Sequence, residues 1–442
     1  MRLVCLLSFC FTVVLSAQTK PNIVLIVADD LGWAGVGFHA KAMTTPRLDR
    51  LAKEGTELSR FYVYPLCSPT RAALLTGQNP RRFNIVSALH GREPGVPAGQ
   101  STLPAVLKAA GYHTSLIGKW HVGKAMSPQQ SGFEHFYGFL NAEIDYNAHT
   151  GMGGSVDWQR DGKTVNEEGY TTYLMADDAV RQLKARDKTK PFFLQINFNA
   201  PHTPLSAPAD ILAKHKAEGE KLGLYNAVIE AMDTGIGRVL DTLDAEKLRE
   251  NTVVIFISDN GAAQREGGSN LPLRAGKDTI YEGGIRTPAI VRWPGKVAAG
   301  AVLAQPISVQ DFYATITAIA GVTPPAGVRL DGINQWPAIL GNKVIPREPF
   351  IVASYDIALV DGDWKLIELQ AGGRELYNLK DDLSEATNLA KTKPDILDRL
   401  GAKLDTLKKD LPAAPVRTVG PGSGGAAGAN AGTGAGRGPR KR

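Results

Sequence analysis

The chain has 442 residues, 43% of them apolar, which is enough to build one large domain or two ordinary ones and excludes a disordered or fibrous protein. Its formal net charge of +6 does not mark a basic body, because Arg2, Arg437, Arg440, Lys441 and Arg442 supply five of those charges from the two ends. The interior is left near +1, so no nucleic-acid partner is expected.

In chain order, residues 1–17 have the layout of a secretory signal peptide. Arg2 precedes an apolar run from Leu3 to Leu15, and the small residues Ser16 and Ala17 follow. The run is too short for a comfortable membrane span, and no other segment is long and apolar enough. The expectation is a secreted or periplasmic protein with no membrane span after cleavage. Of three cysteines, Cys5 and Cys10 fall in the signal, so the mature chain keeps Cys67 alone in an oxidising compartment.

Four short apolar runs then read as buried strands, and each ends in polar residues. Asn22–Val27 leads to Ala28-Asp29-Asp30, and Thr114–Gly118 to Lys119-Trp120-His121. Phe192–Phe198 leads to Asn199-Ala200-Pro201-His202, and Thr252–Ser258 to Asp259-Asn260-Gly261. Helical patterns separate them over 45–55, 102–111, 171–185 and 225–243. Strands alternating with helices predict a sheet covered on both faces, with ligands bound beyond the carboxyl ends of its strands.

Asp29, Asp30, Asp259 and Asn260 offer three carboxylates and a carboxamide, all hard oxygen donors. Such a set suits Ca²⁺, with Mg²⁺ second. Cys67 sits where Pro69 and the run Ala72–Leu75 predict a helix start, with Gly77 as its stop. Free N–H groups there favour an anion, and Arg71 lies one turn along the same face.

Cys67-Ser68-Pro69-Thr70-Arg71 with Thr76-Gly77 resembles the C-x-P-x-R…T-G hallmark of the type I, arylsulfatase-like sulfatases of the alkaline-phosphatase superfamily. The resemblance continues in ADDLGW (28–33), GKWHVG (118–123), APHTP (200–204), SDNGA (258–262) and LRAGKDTIYEGGIRTPAIVRWPG (273–295). It ends in DGDWKLI (361–367) and ELYNLKDDLSEATNLA (375–390), in the family's order.

The resemblance implies an α/β/α sandwich with a large, mostly parallel central sheet over residues 21–330. A smaller C-terminal α+β domain over 331–411 would hold a short antiparallel sheet, two of its strands in 351–369, and a closing helix. A Gly/Ala-rich basic tail over 418–442 is expected to be disordered. The implied activity is hydrolysis of sulfate esters, of a sulfated carbohydrate or an aryl sulfate, by S–O cleavage through a formylglycine-sulfate intermediate. Cys67 would be converted to Cα-formylglycine (3-oxoalanine) by a maturation enzyme. The cation would be held by Asp29, Asp30, Asp259 and Asn260 and would contact the oxygen of residue 67. Arg71 and Lys119 would hold the hydrated aldehyde, His121 would accept a proton from it, and His202 would protonate the leaving alcohol. Lys277 would bind sulfate and share the acid role, and His149 is the expected further substrate contact. Two alternatives differ in chemistry: a phosphodiester or phosphonate monoester hydrolase of the same superfamily, and a non-catalytic binder of sulfated glycans. The chain departs from the family in GWAGVGFHA (32–40), which lacks the usual acidic residue, and over 142–168, which matches no substrate subgroup.

Overall fold

The backbone alternates between runs that bury every residue and amphipathic helices, and a ten-stranded sheet results. The computed structural model describes residues 20–417 apart from Arg92; the signal segment and the basic tail lie outside the described residues. The sheet runs in the order β11 (Ala301–Leu303), β2 (Thr56–Leu58), β10 (Ala289–Arg292), β9 (Thr252–Ser258), β1 (Asn22–Ala28), β8 (Phe192–Asn197) and β4 (His113–Lys119). It continues through β5 (His135–Phe139), β6 (Gln159–Arg160) and β7 (Lys163–Thr164).

The four strands expected from sequence are β9, β1, β8 and β4, adjacent and parallel. Their register is what builds a site. Ala28 pairs with Ser258, so Asp29 and Asp259 leave the sheet side by side, and Val27 and Gly118 both pair with Asn197. Antiparallel β10 and β6 extend the parallel core on either side, which the sequence reading did not separate from its loops.

Alternate residues of β1 divide the core. Ile23, Leu25 and Val27 pack with helices α2 (Cys67–Thr76), α3 (Leu103–Ala109), α8 (Asp311–Ile319) and α9 (Trp336–Gly341). Val24 and Ile26 pack with α1 (Pro46–Glu54), α4 (Thr171–Ala185), α5 (Ala209–Lys214) and α6 (Glu220–Ala245). This period of two on a strand buried on both faces is the signature of a three-layer sandwich. A parallel pair, β3 (Phe61–Tyr62) with β12 (Ile307–Ser308), and the short helix α7 (Glu282–Ile285) complete the large unit.

The C-terminal sheet is an antiparallel meander of β13 (Phe350–Ala353), β14 (Ile357–Asp361), β15 (Trp364–Glu368) and β16 (Arg374–Asn378). Residues 351–369 contain parts of three strands where two were expected. The extra reversal lies at Ser354–Asp356, where the Ser354 N–H donates to the Asp356 carbonyl. One face of the meander joins the main core through Val352, Ala358, Val360 and Ile367. Helix α10 (Pro394–Lys408) covers the other through Leu400 and Leu404.

Candidate active site

Helix α2 begins at Cys67 itself, and all ten of its residues are buried. Its last turn closes on Gly77, whose φ of 68° and contact with Leu330 and Tyr313 leave no room for a side chain. The Ser68 hydroxyl accepts the Leu89 N–H at 3.0 Å, and the Leu89 carbonyl accepts His121 Nε2–H at 2.8 Å. The loop after α2 is thereby hung between the helix start and the end of β4.

Three carboxylates at the strand ends each meet a different cation. Lys119 Nζ donates to Asp29 Oδ2 at 2.5 Å. Lys277 Nζ donates to Asp30 Oδ2 at 2.7 Å, and Arg71 donates to Asp259 Oδ2 through Nη2 at 2.8 Å and Nε at 3.1 Å. Asn260 Nδ2 donates to Asp30 Oδ1 at 2.6 Å, and the Asp30 N–H reaches Asp259 Oδ1 at 3.2 Å. His202 Nε2 lies 3.8 Å from Asp30 Oδ2. Donor atoms of Asp29, Asp30 and His202 fall within 4.8 Å of one another. Lys119 is wholly buried, which no surface lysine is.

Asp29 Oδ1 and Asn260 Oδ1 are buried with no hydrogen-bond partner. Buried acceptors without donors are costly, and a hard divalent cation is the partner their chemistry fits. The Asp259 carboxyl is pushed up to about 6, first by burial and then by Asp29, in spite of Arg71. Asp30 feels the same burial, but Lys277 and His202 overcome it and hold its carboxyl below the usual range. Three carboxylates face three cations, so a divalent cation added to them would leave the site net positive and suited to an anionic ligand.

Burial pushes the Cys67 thiol up, more than Lys119 and Lys277 pull it down. An unmodified Cys67 is therefore a protonated, weak nucleophile at neutral pH. Burial, Lys119 and Arg71 keep His121 neutral. Its Nε2–H is spent on Leu89, and its buried Nδ1 has no partner, so a lone pair stands open. His202 falls to about 4, by burial first, and its Nδ1 lies 2.6 Å from the Thr203 carbonyl. Asp30, His121 and Asp278 all have positive φ (66°, 52° and 73°), and such backbone strain gathers at functional sites.

Asp30, Cys67, His202 and Lys277 line one open pocket of about 270 Å³. His149 is not among its lining residues. It is buried, bonded through Nε2 to the Gly169 carbonyl and stacked on Trp158 with ring centroids 5.1 Å apart. The Gly-rich stretch that suggested a substrate contact folds away from the pocket at this residue. Sequence reasoning missed the rim, formed by Ser87, His90, Glu143, Met152, Arg265 and Glu266. Ser87, His90, Glu143 and Met152 come from irregular loops and Arg265 and Glu266 from a single 3-10 turn, none with a period to read, whereas the lining residues Thr203 and Asp278 stand within motifs that could have flagged them.

A family model described as Sulfatase matches residues 21–322. The chain is 36% identical over 362 residues to the N-acetylgalactosamine-6-sulfatase of Homo sapiens, covering 76% of this chain and 68% of that one. Among solved structures, the crystal structure of Ps i-CgsB is 34% identical with a TM-score of 0.85, covering 90% of this chain and 94% of that chain. The same protein in complex with k-i-k-neocarrahexaose gives 33% identity and a TM-score of 0.84, with 90% and 94% covered.

Proposed function

Because this chain belongs to the sulfatase family and hydrolyses sulfate esters, we propose that its substrate is a sulfated sugar or polysaccharide fragment, cleaved at the S–O bond by a formylglycine made from Cys67. The observation that carries this reading is the set of three carboxylate–cation pairs beside a buried Cys67 at the start of α2. The carbohydrate assignment is supported by the sugar in the name of the human relative and by the neocarrahexaose bound to Ps i-CgsB.

Asp29, Asp30, Asp259 and Asn260 would hold Ca²⁺, or Mg²⁺ as second choice. When bound, the cation supplies Lewis-acid polarisation of sulfate, and the aldehyde hydrate supplies a hydroxyl nucleophile with a second hydroxyl for its release. Lys277 binds sulfate oxygens while keeping Asp30 ionised. Arg71 and Lys119 offset the negative charge that gathers around residue 67. The open Nδ1 of His121 accepts the proton of the spare hydroxyl. His202 gives a proton to the departing alcohol oxygen, with Lys277 beside it. Burial keeps that proton off His202 in the free site, and the negative charge of a bound sulfate ester draws it on.

A secreted or periplasmic location with residues 1–17 removed, and a maturation enzyme that oxidises Cys67, complete the proposal. So does a division into a catalytic unit over 21–330 and a smaller unit over 331–411. Among the described residues no helix is long and apolar enough to cross a membrane.

The test is to co-express the chain with a formylglycine-generating enzyme. Inorganic sulfate release from sulfated galactan oligosaccharides is then compared with hydrolysis of bis(4-nitrophenyl) phosphate. Sulfate release at the higher kcat/KM supports the reading. Preferred turnover of the phosphodiester, or glycan binding with no turnover by formylglycine-bearing protein, would overturn it.

A further inference from the structure

Three stretches that carry the family resemblance each send one residue that the chemistry above does not use into a single buried cluster. Glu282 comes from the segment after Lys277, Lys365 from DGDWKLI on β15, and Glu385 from the loop beyond β16. All three are fully buried. Lys365 Nζ lies 3.0 Å from Glu282 Oε1 and 2.8 Å from Glu385 Oε1. Glu385 Oε2 accepts the Glu282 N–H at 2.7 Å. Tyr62 Oη donates to Glu282 Oε2 at 3.2 Å, and Arg286 Nη1 does so at 3.3 Å. Glu385 holds a φ of 51°, a conformation that glutamate adopts only when its surroundings impose it.

The other end of the same segment is gripped as well. The Arg274 guanidinium stacks over Tyr281 at 3.7 Å and donates to the Tyr377 hydroxyl at 3.0 Å and the Glu385 carbonyl at 2.9 Å. Tyr281 and Tyr377 both donate to Glu375 Oε2, at 3.1 and 2.8 Å. Arg274 and Glu282 are thus both held by the C-terminal meander, and the Gly283 N–H closes the loop onto the Arg274 carbonyl at 2.8 Å. Between these grips lies Lys277. The inner side of the loop touches the site directly: the Asp278 N–H reaches the Pro65 carbonyl at 3.0 Å, and Lys277 Nζ reaches Asp30. Ala275 and Asp278 both have positive φ, so the loop is strained and has no helical or strand ladder of its own around Lys277.

Apolar packing through Val352, Ala358, Val360 and Ile367 already docks the meander on the main core. A buried ion cluster adds little to such docking, because desolvation of its charges offsets their attraction. What it adds is a fixed direction for the loop. We propose that Lys365, Glu282 and Glu385 form an ionic clamp by which the C-terminal sheet sets the position of Lys277. They are positioning residues for sulfate, and the proposal rests on the reading that Lys277 binds it.

A double-mutant cycle on the formylglycine-bearing enzyme, with 4-nitrophenyl sulfate as probe, tests this. Glu385→Gln in the wild-type background is expected to lower kcat/KM about tenfold, chiefly by raising KM. In the Lys277→Ala background the same change is expected to cost less than about twofold, because the group it positions is gone. A substitution that merely loosens the fold lowers both backgrounds by the same factor, and that result would overturn the proposal. If Glu385→Gln does not fold, Glu385→Asp replaces it in both backgrounds; this keeps the charge and shortens the reach to Lys365 and to the Glu282 N–H. A wild-type enzyme that turns over the probe but is indifferent to Lys277→Ala would count against the reading of Lys277 itself, and the clamp would fall with it.

Discussion

At the scale of single residues, Asp29, Asp30 and Asp259 are each tied to a different cation, yet Asp29 Oδ1 and Asn260 Oδ1 still have no partner. Metal removal should therefore act on stability as well as on turnover. Dialysis against a chelator is expected to lower the melting temperature and abolish sulfate release, and Ca²⁺ is expected to restore both more fully than Mg²⁺. A ligand present at a thousand times its Kd stabilises by about 4 kcal/mol, so the shift is readily read by calorimetry. An unchanged melting temperature would mean that these oxygens hold no cation. The residues that meet here were legible because each follows a strand or opens a helix within a recognisable motif. The contacts that fix the imidazoles were not. His121 depends on the Leu89 carbonyl, 32 residues away in the chain, and no side-chain type announces a carbonyl acceptor. His149 looked polar and available in a Gly-rich stretch, but the Gly169 carbonyl and the Trp158 ring bury it.

At the scale of elements, the apolar runs fixed the four central strands to within a residue or two, because a parallel strand buried on both faces reads as a nearly continuous apolar run. Short strands such as β10 and β2 were not legible, since four or three residues cannot display a period. The capping of α1 was equally hidden. Thr45 does not cap it; Asp233 on α6 accepts the Arg47 and Leu48 N–H groups instead, at 3.0 and 2.8 Å. Burial pushes the Asp233 carboxyl up to about 7 against those two hydrogen bonds. The folded chain then binds a proton that the unfolded chain, titrating near 4, releases earlier. This stability is present below pH 4 and is lost as pH rises toward 7. Denaturant titrations of Asp233→Asn and wild type at pH 5 and pH 8 should show the wild type losing more with rising pH, by on the order of a few kcal/mol. Parallel losses in the two proteins would contradict the assignment.

For the molecule as a whole, alternating strands and helices were enough to indicate a layered α/β body. How the C-terminal sheet docks on it was not, because pairings such as Lys365 with Glu282 span 83 residues. Lys365→Met would leave two buried carboxylates facing one another without their ammonium. It is expected to cost about 3–5 kcal/mol in urea unfolding, far more than a surface pair would. A loss under about 1 kcal/mol would place the cluster in contact with water. The account as a whole turns on what residue 67 is in the mature enzyme, since its buried thiol is a poor nucleophile. The most direct measurement is a mass spectrum of the tryptic peptide Phe61–Arg71 from protein made in its native host. The account predicts an aldehyde or its hydrate at position 67 in sulfate-releasing protein. A peptide recovered wholly as the thiol, from protein that releases sulfate at full rate, would contradict it.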